Sequence, residues 1–299
     1  MRELPVYDIC SLNNIKNGEI LISRFAPYLK THHKLLIPHR HNFYHLVLFT
    51  EGSGLHTIDF SQFPVQAWQI YFMIPGQVHS WDFEGYTDGY VINFSDSFFR
   101  SFLLRPDYVD EFAFFGGNAA DSVINITKPQ RPKILAILED LLACTENTGR
   151  LQEDRIRVLL LQLFILVEDM NEPGAQKGLP SYNLTLLRNF RKLIDKNYQT
   201  MRLPKEYANL LYITPNHLNA VSSEFLGMPA GELIRNRIAL EAKRLLVNPA
   251  LSVSEIAYQL NFNDNSYFTK FFKKHEGLTP EEFRKQLFQK KEDETTRDK

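Results

Sequence analysis

Ser254-Glu255-Ile256-Ala257-Tyr258-Gln259-Leu260-Asn261-Phe262-Asn263-Asp264-Asn265-Ser266-Tyr267-Phe268-Thr269-Lys270-Phe271-Phe272-Lys273-Lys274 decides how this chain is read. Ala257 sits where a second helix crosses close above the first, so its side chain must be small. Asn261 stands at a turn that wants left-handed backbone, which Asn tolerates. Asp264 precedes the second helix as its N-cap. The pattern is a helix, a tight turn and a second helix, and it occurs twice. The earlier copy centres on Ala208 to Glu224. Ala208 corresponds to Ala257, 49 positions on, while Leu218 corresponds to Phe268 and Gly227 to Gly277, 50 positions on. The second copy therefore carries one extra residue in its turn. In the first copy Thr214 takes the cap position and Pro215 the first helical position.

The second helix of each copy has two faces. Leu218, Val221 and Phe225 recur at i, i+3 and i+7 and turn inward, as do Phe268 and Phe272. The outward positions are Asn216, His217, Asn219 and Ser223, then Asn265, Ser266, Thr269, Lys270 and Lys273. Their amides, hydroxyls and cations are groups that read base edges or grip phosphate. A solvated helix face is polar too, but the duplication points to double-stranded DNA as the partner. One such helix fills one major groove, and two in tandem read two successive grooves.

The charge balance agrees. Residues 1–181 hold 15 Lys+Arg against 21 Asp+Glu, a net −6, and residues 182–299 hold 19 against 14, a net +5. A basic half tied to an acidic half fits a polyanion partner for the second half only. The two cysteines, Cys10 and Cys144, have no metal or redox spacing and read as inert thiols in a reducing compartment. No basic segment followed by an apolar run opens the chain, and the longest apolar stretch, Val158 to Val167, is too short to span a bilayer. The expectation is a cytoplasmic protein with no membrane partner.

Organisation changes along the chain. From about Ile20 to Phe94, β-rich runs are cut by Glu51-Gly52-Ser53-Gly54, Pro75-Gly76, Glu84-Gly85 and Asp88-Gly89, which suggests a sandwich or barrel. Pro132 to Thr145 and Gln152 to Met170 read as helices, the second apolar on nearly every face and so buried on several sides. The fold expected is two-domain. An all-β first domain over 1–127 is trailed by a helical, dimer-forming segment over 128–170. A polar linker over 171–182 leads to an all-α domain with both helix-turn-helix motifs over 183–290 and a disordered tail over 291–299.

The second copy, with Glu255-Ile256-Ala257, Phe262, Ser266-Tyr267-Phe268, Phe271-Phe272-Lys273-Lys274, Gly277, Thr279-Pro280 and Phe283-Arg284, resembles the DNA-binding domain of the AraC/XylS family of bacterial transcription regulators. The bridging stretch, with Arg237, Glu241-Ala242 and Leu245-Leu246, is similar to the same family. The resemblance covers about Asn183 to Lys290. It implies a sequence-specific regulator that is not an enzyme and needs no cofactor. It further implies a small-molecule effector in the first domain, a homodimer and a contact with RNA polymerase. Two positions depart from the family pattern. Asn261 replaces the usual Gly, and Ala220 stands where Arg is frequent, which moves base reading to the second copy or to Asn219.

His39-Arg40-His41-Asn42-Phe43-Tyr44-His45 holds three histidines on one face of an extended run, and His79 follows the Pro75-Gly76 turn. This first domain resembles a degenerate cupin barrel, with His39, His41, His45 and His79 on the ligand positions. His45 stands where Glu is usual, and Trp68 and Phe83 replace the Gly and Asn of the second cupin motif. Neutral imidazoles suit a divalent transition metal; the plain alternative is that they line a pocket or core and hydrogen-bond locally. With Phe43, Phe49, Trp81 and Phe94 as aromatic walls, the four histidines form the candidate effector pocket. A metal-dependent enzyme with a helical oligomerisation module is the competing class.

Overall fold

The computed structural model describes residues 4–12, 18–100, 102–105, 108–146, 149–170 and 181–297, with backbone alone at 181 and 290–297. Two compact units result, one of Pro5–Lys177 and the other built chiefly of Gly178–Lys299.

In the first unit the β-rich runs form strands β1 (Val6–Tyr7), β2 (Ile20–Arg24), β3 (His39–His41), β4 (Tyr44–Glu51), β5 (Gly54–Ile58), β6 (Ser61–Pro64), β7 (Gln69–Met73), β8 (Val78–Phe83), β9 (Asp88–Phe94) and β10 (Val123–Asn125). Short helices α1 (Ile9–Leu12), α2 (Phe25–Thr31) and α3 (Ser97–Arg100) punctuate them. The strands sort into two five-stranded sheets, ordered β1-β3-β8-β5-β6 and β10-β7-β4-β9-β2. No strand pair among the described residues joins the sheets, so the expected barrel is an open two-layered one. Its edge strands are β1 and β6 in one sheet and β10 and β2 in the other.

Alternation along β4 decides what lies between the sheets. Phe43, Val47 and Phe49 join Ile58, Tyr71, Trp81 and Val91 in an inner core. Tyr44, Leu46 and Leu48 turn the other way, with Tyr90, Ile92 and Phe94, into an outer core. Two helices cover that outer face, α4 (Arg131–Glu146) and α5 (Gln152–Met170). Within one chain α5 is buried on one side only. Ile156, Leu160, Leu163, Phe164 and Val167 pack against the sheet, while Val158 is 54% and Ile165 46% exposed. An outer helix has one face on the sheet and one away from it, and the apolar residues on the far face are left uncovered.

The second unit contains α6 (Ser181–Asn197), α7 (Pro204–Leu210), α8 (Pro215–Leu226), α9 (Ala230–Leu246), α10 (Val253–Gln259), α11 (Asn265–Glu276) and α12 (Pro280–Arg297). Residues 171–180 of the expected linker lie outside the described residues, and α6 already begins at Ser181. The tail expected to be disordered is helical through Arg297, because Gln, Lys and Glu, good helix formers, continue past Phe288. Residues 298 and 299 are outside the described residues. One core spans both helix-turn-helix motifs: Tyr207, Ala208 and Leu218 of the first and Ile256, Ala257, Phe268 and Phe272 of the second meet on Ile234, Ile238 and Ala242 of α9.

Candidate nucleic-acid interface and sensor core

The two motifs repeat in backbone detail. In the first turn the Ile213 N–H donates to the Ala208 carbonyl at 3.0 Å, and in the second the Phe262 N–H donates to the Ala257 carbonyl at 2.9 Å. Each turn has one left-handed residue, Tyr212 at φ 56° and Asn261 at φ 55°. The caps then diverge. Thr214 Oγ1 accepts from the His217 N–H, and Asp264 Oδ1 from the Tyr267 N–H at 2.7 Å. Ile213 precedes its cap directly, whereas Asn263 separates Phe262 from Asp264, so Asn263 is the extra residue. Gly227 at φ 70° and Gly277 at φ 78° end α8 and α11, where a left-handed C′ position favours glycine.

Arg202, just before the first motif, donates to the carbonyls of Leu260 and, at 3.1 Å, Asn261 in the second. Its guanidinium lies 4.0 Å from the centre of the Phe262 ring. One cation thus satisfies two carbonyls at the end of α10 and ties the motifs together. Nothing local in the sequence marked it.

Leu218 and Val221 are buried and Phe225 half-buried on α8; Phe268 and Phe272 are buried on α11. Asn216, His217 and Ser223 are exposed on α8, as are Asn265, Ser266, Lys270 and Lys273 on α11, with Thr269 half-buried. Ser266, Lys270 and Lys273 share a face at i, i+4 and i+7. Asn219, expected among the reading residues, also has a partner within the unit. Its Oδ1 accepts from the Ala230 N–H at 3.1 Å, at the start of α9, where the N-cap residue Pro229 makes no side-chain bond. The amide oxygen satisfies an orphan donor of a helix start, and the side chain has two N–H donors besides. Lys274 and Tyr267 are exposed on α11 beside the face already named.

In the first unit the expected histidines do come together. His39 and His41 on β3, His45 on β4 and His79 on β8 are all 4% exposed or less. His56 on β5, which sequence reading passed over, joins them: its Nε2 lies 3.1 Å from His79 Nδ1. Alternation gave the signal for it, since His56 shares a strand face with the buried Ile58. Phe43 stacks on His41 with ring centres 4.4 Å apart, and Trp81 lies 4.9 Å from His79. Phe49 packs nearby among Phe25, Tyr71 and Phe83. Phe94 does not line this core. β9 pairs with β4 so that Asn93 faces His45 and Phe94 faces Tyr44, which sends Phe94 to the outer core. Both faces of β9 are buried, so its sequence carries no alternation to show which residues point inward.

Burial is the largest cause of the shift at every histidine of the cluster. It pushes His39 down to about 4 and His45 down to about 3, and holds His41, His56 and His79 well below the usual imidazole range. All five are neutral near pH 7. The His39 Nδ1–H donates to the Ile37 carbonyl at 2.7 Å. The His45 Nδ1–H donates to Asn93 Oδ1 at 2.6 Å, an amide oriented by its own donation to the Tyr28 hydroxyl. Nε2 of His39, His41, His45 and His79, Nδ1 of His56 and the Trp81 indole nitrogen are buried with no hydrogen-bond partner among the described residues. A buried polar atom left so costs roughly 1–3 kcal/mol. Three of the four expected ligands, His39, His41 and His79, have ligand atoms all within 4.8 Å of one another, and His45 falls outside that set.

The arrangement defines a DNA-binding regulator with a separate ligand-binding unit, and comparison with known proteins agrees. Residues 25–164 match the model of the AraC-like ligand binding domain, and residues 207–286 match that of a helix-turn-helix domain. The chain belongs to the AraC family of transcription regulators. It is 23% identical over 258 residues to the HTH-type transcriptional activator RhaS of Yersinia pseudotuberculosis, covering 83% of this chain and 89% of that one. It is 29% identical over 113 residues to YijO of Escherichia coli, an uncharacterized HTH-type transcriptional regulator, covering 38% of this chain and 40% of that one. Among solved structures, ToxT from Vibrio cholerae aligns over 89% of this chain and 96% of that one, at 16% identity and a TM-score of 0.42. RhaS and YijO are regulators, which sets aside the competing reading as a metal-dependent enzyme. No described helix is long and apolar enough to cross a membrane.

Proposed function

We propose that the exposed faces of α8 and α11 enter two successive major grooves of double-stranded DNA and that α11 supplies most of the base discrimination. The observation that carries this reading is the asymmetry between two motifs of the same backbone geometry. On α11, Ser266, Lys270 and Lys273 make one polar, cationic stripe, whereas α8 has Ala220 at its centre and Asn219 occupied by Ala230. Side chains that reach base edges discriminate, and those that reach phosphate position.

The unit of Pro5–Lys177 takes a small-molecule effector between its sheets and makes the chain a homodimer through α5. Val158 and Ile165 on α5 are exposed at seven-residue spacing, the period of a helix-to-helix seam, and exposed Leu151, just before the helix, continues it. Effector binding shifts the population of arrangements open to the paired DNA-binding units. The regulator works in the cytoplasm and contacts RNA polymerase, a role that fits the activators among its relatives.

Sites are selected from random duplexes, and affinity for the best site is measured against salt for the wild type, Lys270→Ala/Lys273→Ala and Asn216→Ala/Ser223→Ala. The lysine pair is expected to lower the slope of log affinity against log salt by about 1–2. The α8 pair is expected to leave the selected sequence largely intact. Equal loss of base preference from both faces would contradict the asymmetry.

A further inference from the structure

One short helix of the first unit is tied to both of its cores. α2 sends Phe25 and Tyr28 into the inner core, where both are buried. The Phe25 ring meets those of Phe49, Trp81 and Phe83 edge-on, with centres 5.1, 5.4 and 5.6 Å away. The Tyr28 hydroxyl accepts from Asn93, the amide that also holds His45. The start of the helix is anchored on the other side of the sheet. Its N-cap residue, Arg24, makes no side-chain cap bond. The cap comes instead from β9, where Asp88 Oδ1 accepts from the Ala26 N–H at 2.9 Å and Oδ2 accepts from the Arg24 guanidinium. The same guanidinium lies 4.5 Å from the centre of the Tyr90 ring and 3.9 Å from the Glu139 carboxylate on α4. The Tyr90 hydroxyl donates to that carboxylate.

We propose that α2 is a strap over the inner core and that Arg24, Asp88 and Glu139 report its seating to α4. A helix of seven residues does not hold unaided, so its two anchorages decide its place. A ligand that enters beside Phe25 and Tyr28 displaces α2, because both side chains are packed among buried rings. Asp88 then loses the Ala26 donor, and Arg24, joined directly to Phe25, is drawn with the helix. Arg24 is the cation that Asp88 and Glu139 share. Its withdrawal leaves two carboxylates of like charge near each other and frees α4 at Glu139. Ile137, Leu138 and Leu141 of α4 lie in one core with Leu160, Leu163 and Phe164 of α5, so the change reaches the helix proposed to pair two protomers. The strap rests on the effector reading for its regulatory meaning; the coupling of α2 to α4 does not.

Hydrogen exchange of the full chain, read by mass spectrometry, tests that coupling from both ends, since a coupling between two places is reciprocal. The Glu139 side chain is 57% exposed, so Glu139→Gln leaves the fold standing, and its amide oxygen still accepts from Tyr90. It should speed amide exchange in α2 about two- to fivefold, the worth of one exposed ion pair. Asp140→Asn, the next position along α4 and also exposed, should leave α2 unchanged. Tyr28→Phe removes only the inner hydroxyl. Alone it should speed exchange in α2 and α4, and combined with Glu139→Gln in α2 only. Unchanged α2 exchange in Glu139→Gln, an equal effect of Asp140→Asn, or a Tyr28→Phe effect on α4 that survives Glu139→Gln overturns the strap. No ligand enters these measurements, so their failure counts against the coupling alone. A wild type whose melting temperature no sugar, organic acid or amino acid of a test panel raises counts against the effector reading alone.

Discussion

Asn219 and Lys270 are both polar residues on second helices, and their surroundings give them different work. Asn219 accepts from the first N–H of α9, so Asn219→Ala should lower the stability of the helical unit by about 1 kcal/mol. Denaturant unfolding measures that loss, and site selection should return an unchanged preferred sequence. A changed preference at unchanged stability would restore Asn219 to base reading. Residue-level legibility divides the same way. The inward parity of Phe43, His45 and Phe49 could be read because they continue at two-residue spacing from His39 and His41. Phe94 could not, since its strand is buried on both faces and its orientation depends on pairing with Tyr44, 50 residues away.

At the scale of elements, the paired motifs were legible because caps and C-terminal glycines act within a turn of the residues that carry them. The left-handed turn residue was foreseen at Asn261 and missed at Tyr212, since a bulky side chain gives no reason to expect φ 56°. Arg202 was hidden because its acceptors lie 58 and 59 residues further on. Arg202→Ala should cost on the order of 2 kcal/mol, the worth of charged hydrogen bonds to carbonyls, and calorimetry should find the two motifs melting less cooperatively. One transition at the wild-type temperature would show that the shared core of α9 suffices without it. On α5, Val158→Glu with Ile165→Glu should turn dimer into monomer in sedimentation without unfolding the sheet, as both side chains point away from it. Dimers that persist would move the interface elsewhere.

Across the molecule, the two units should respond differently to acid. The buried histidines belong to the first unit, and their folded values lie below the unfolded value of about 6.5. Above that value both states are neutral and the shift adds nothing. As pH falls below it, the unfolded chain takes up protons that the folded core refuses, so stability is lost progressively toward about 4 for His39. By pH 5 His39 alone accounts for roughly 2 kcal/mol of that loss. Circular dichroism should report loss of the β signal in this range together with the part of the helix signal that α4 and α5 contribute, while the helices of the second unit persist; loss of all helix signal with the β signal would contradict it. The two-domain plan was legible from composition and from the change of period. Which of sandwich or barrel the strands form was not, because closure depends on pairing between strands far apart in the sequence.

On the proposed reading two recognition helices occupy successive major grooves and the second discriminates more strongly. Chemical interference footprinting on the selected site tests it most directly. Two contacted major-groove segments about 10 base pairs apart are predicted, with contacts in only one of them lost in Lys270→Ala/Lys273→Ala. A single contacted groove, or equal loss in both segments, would contradict the account.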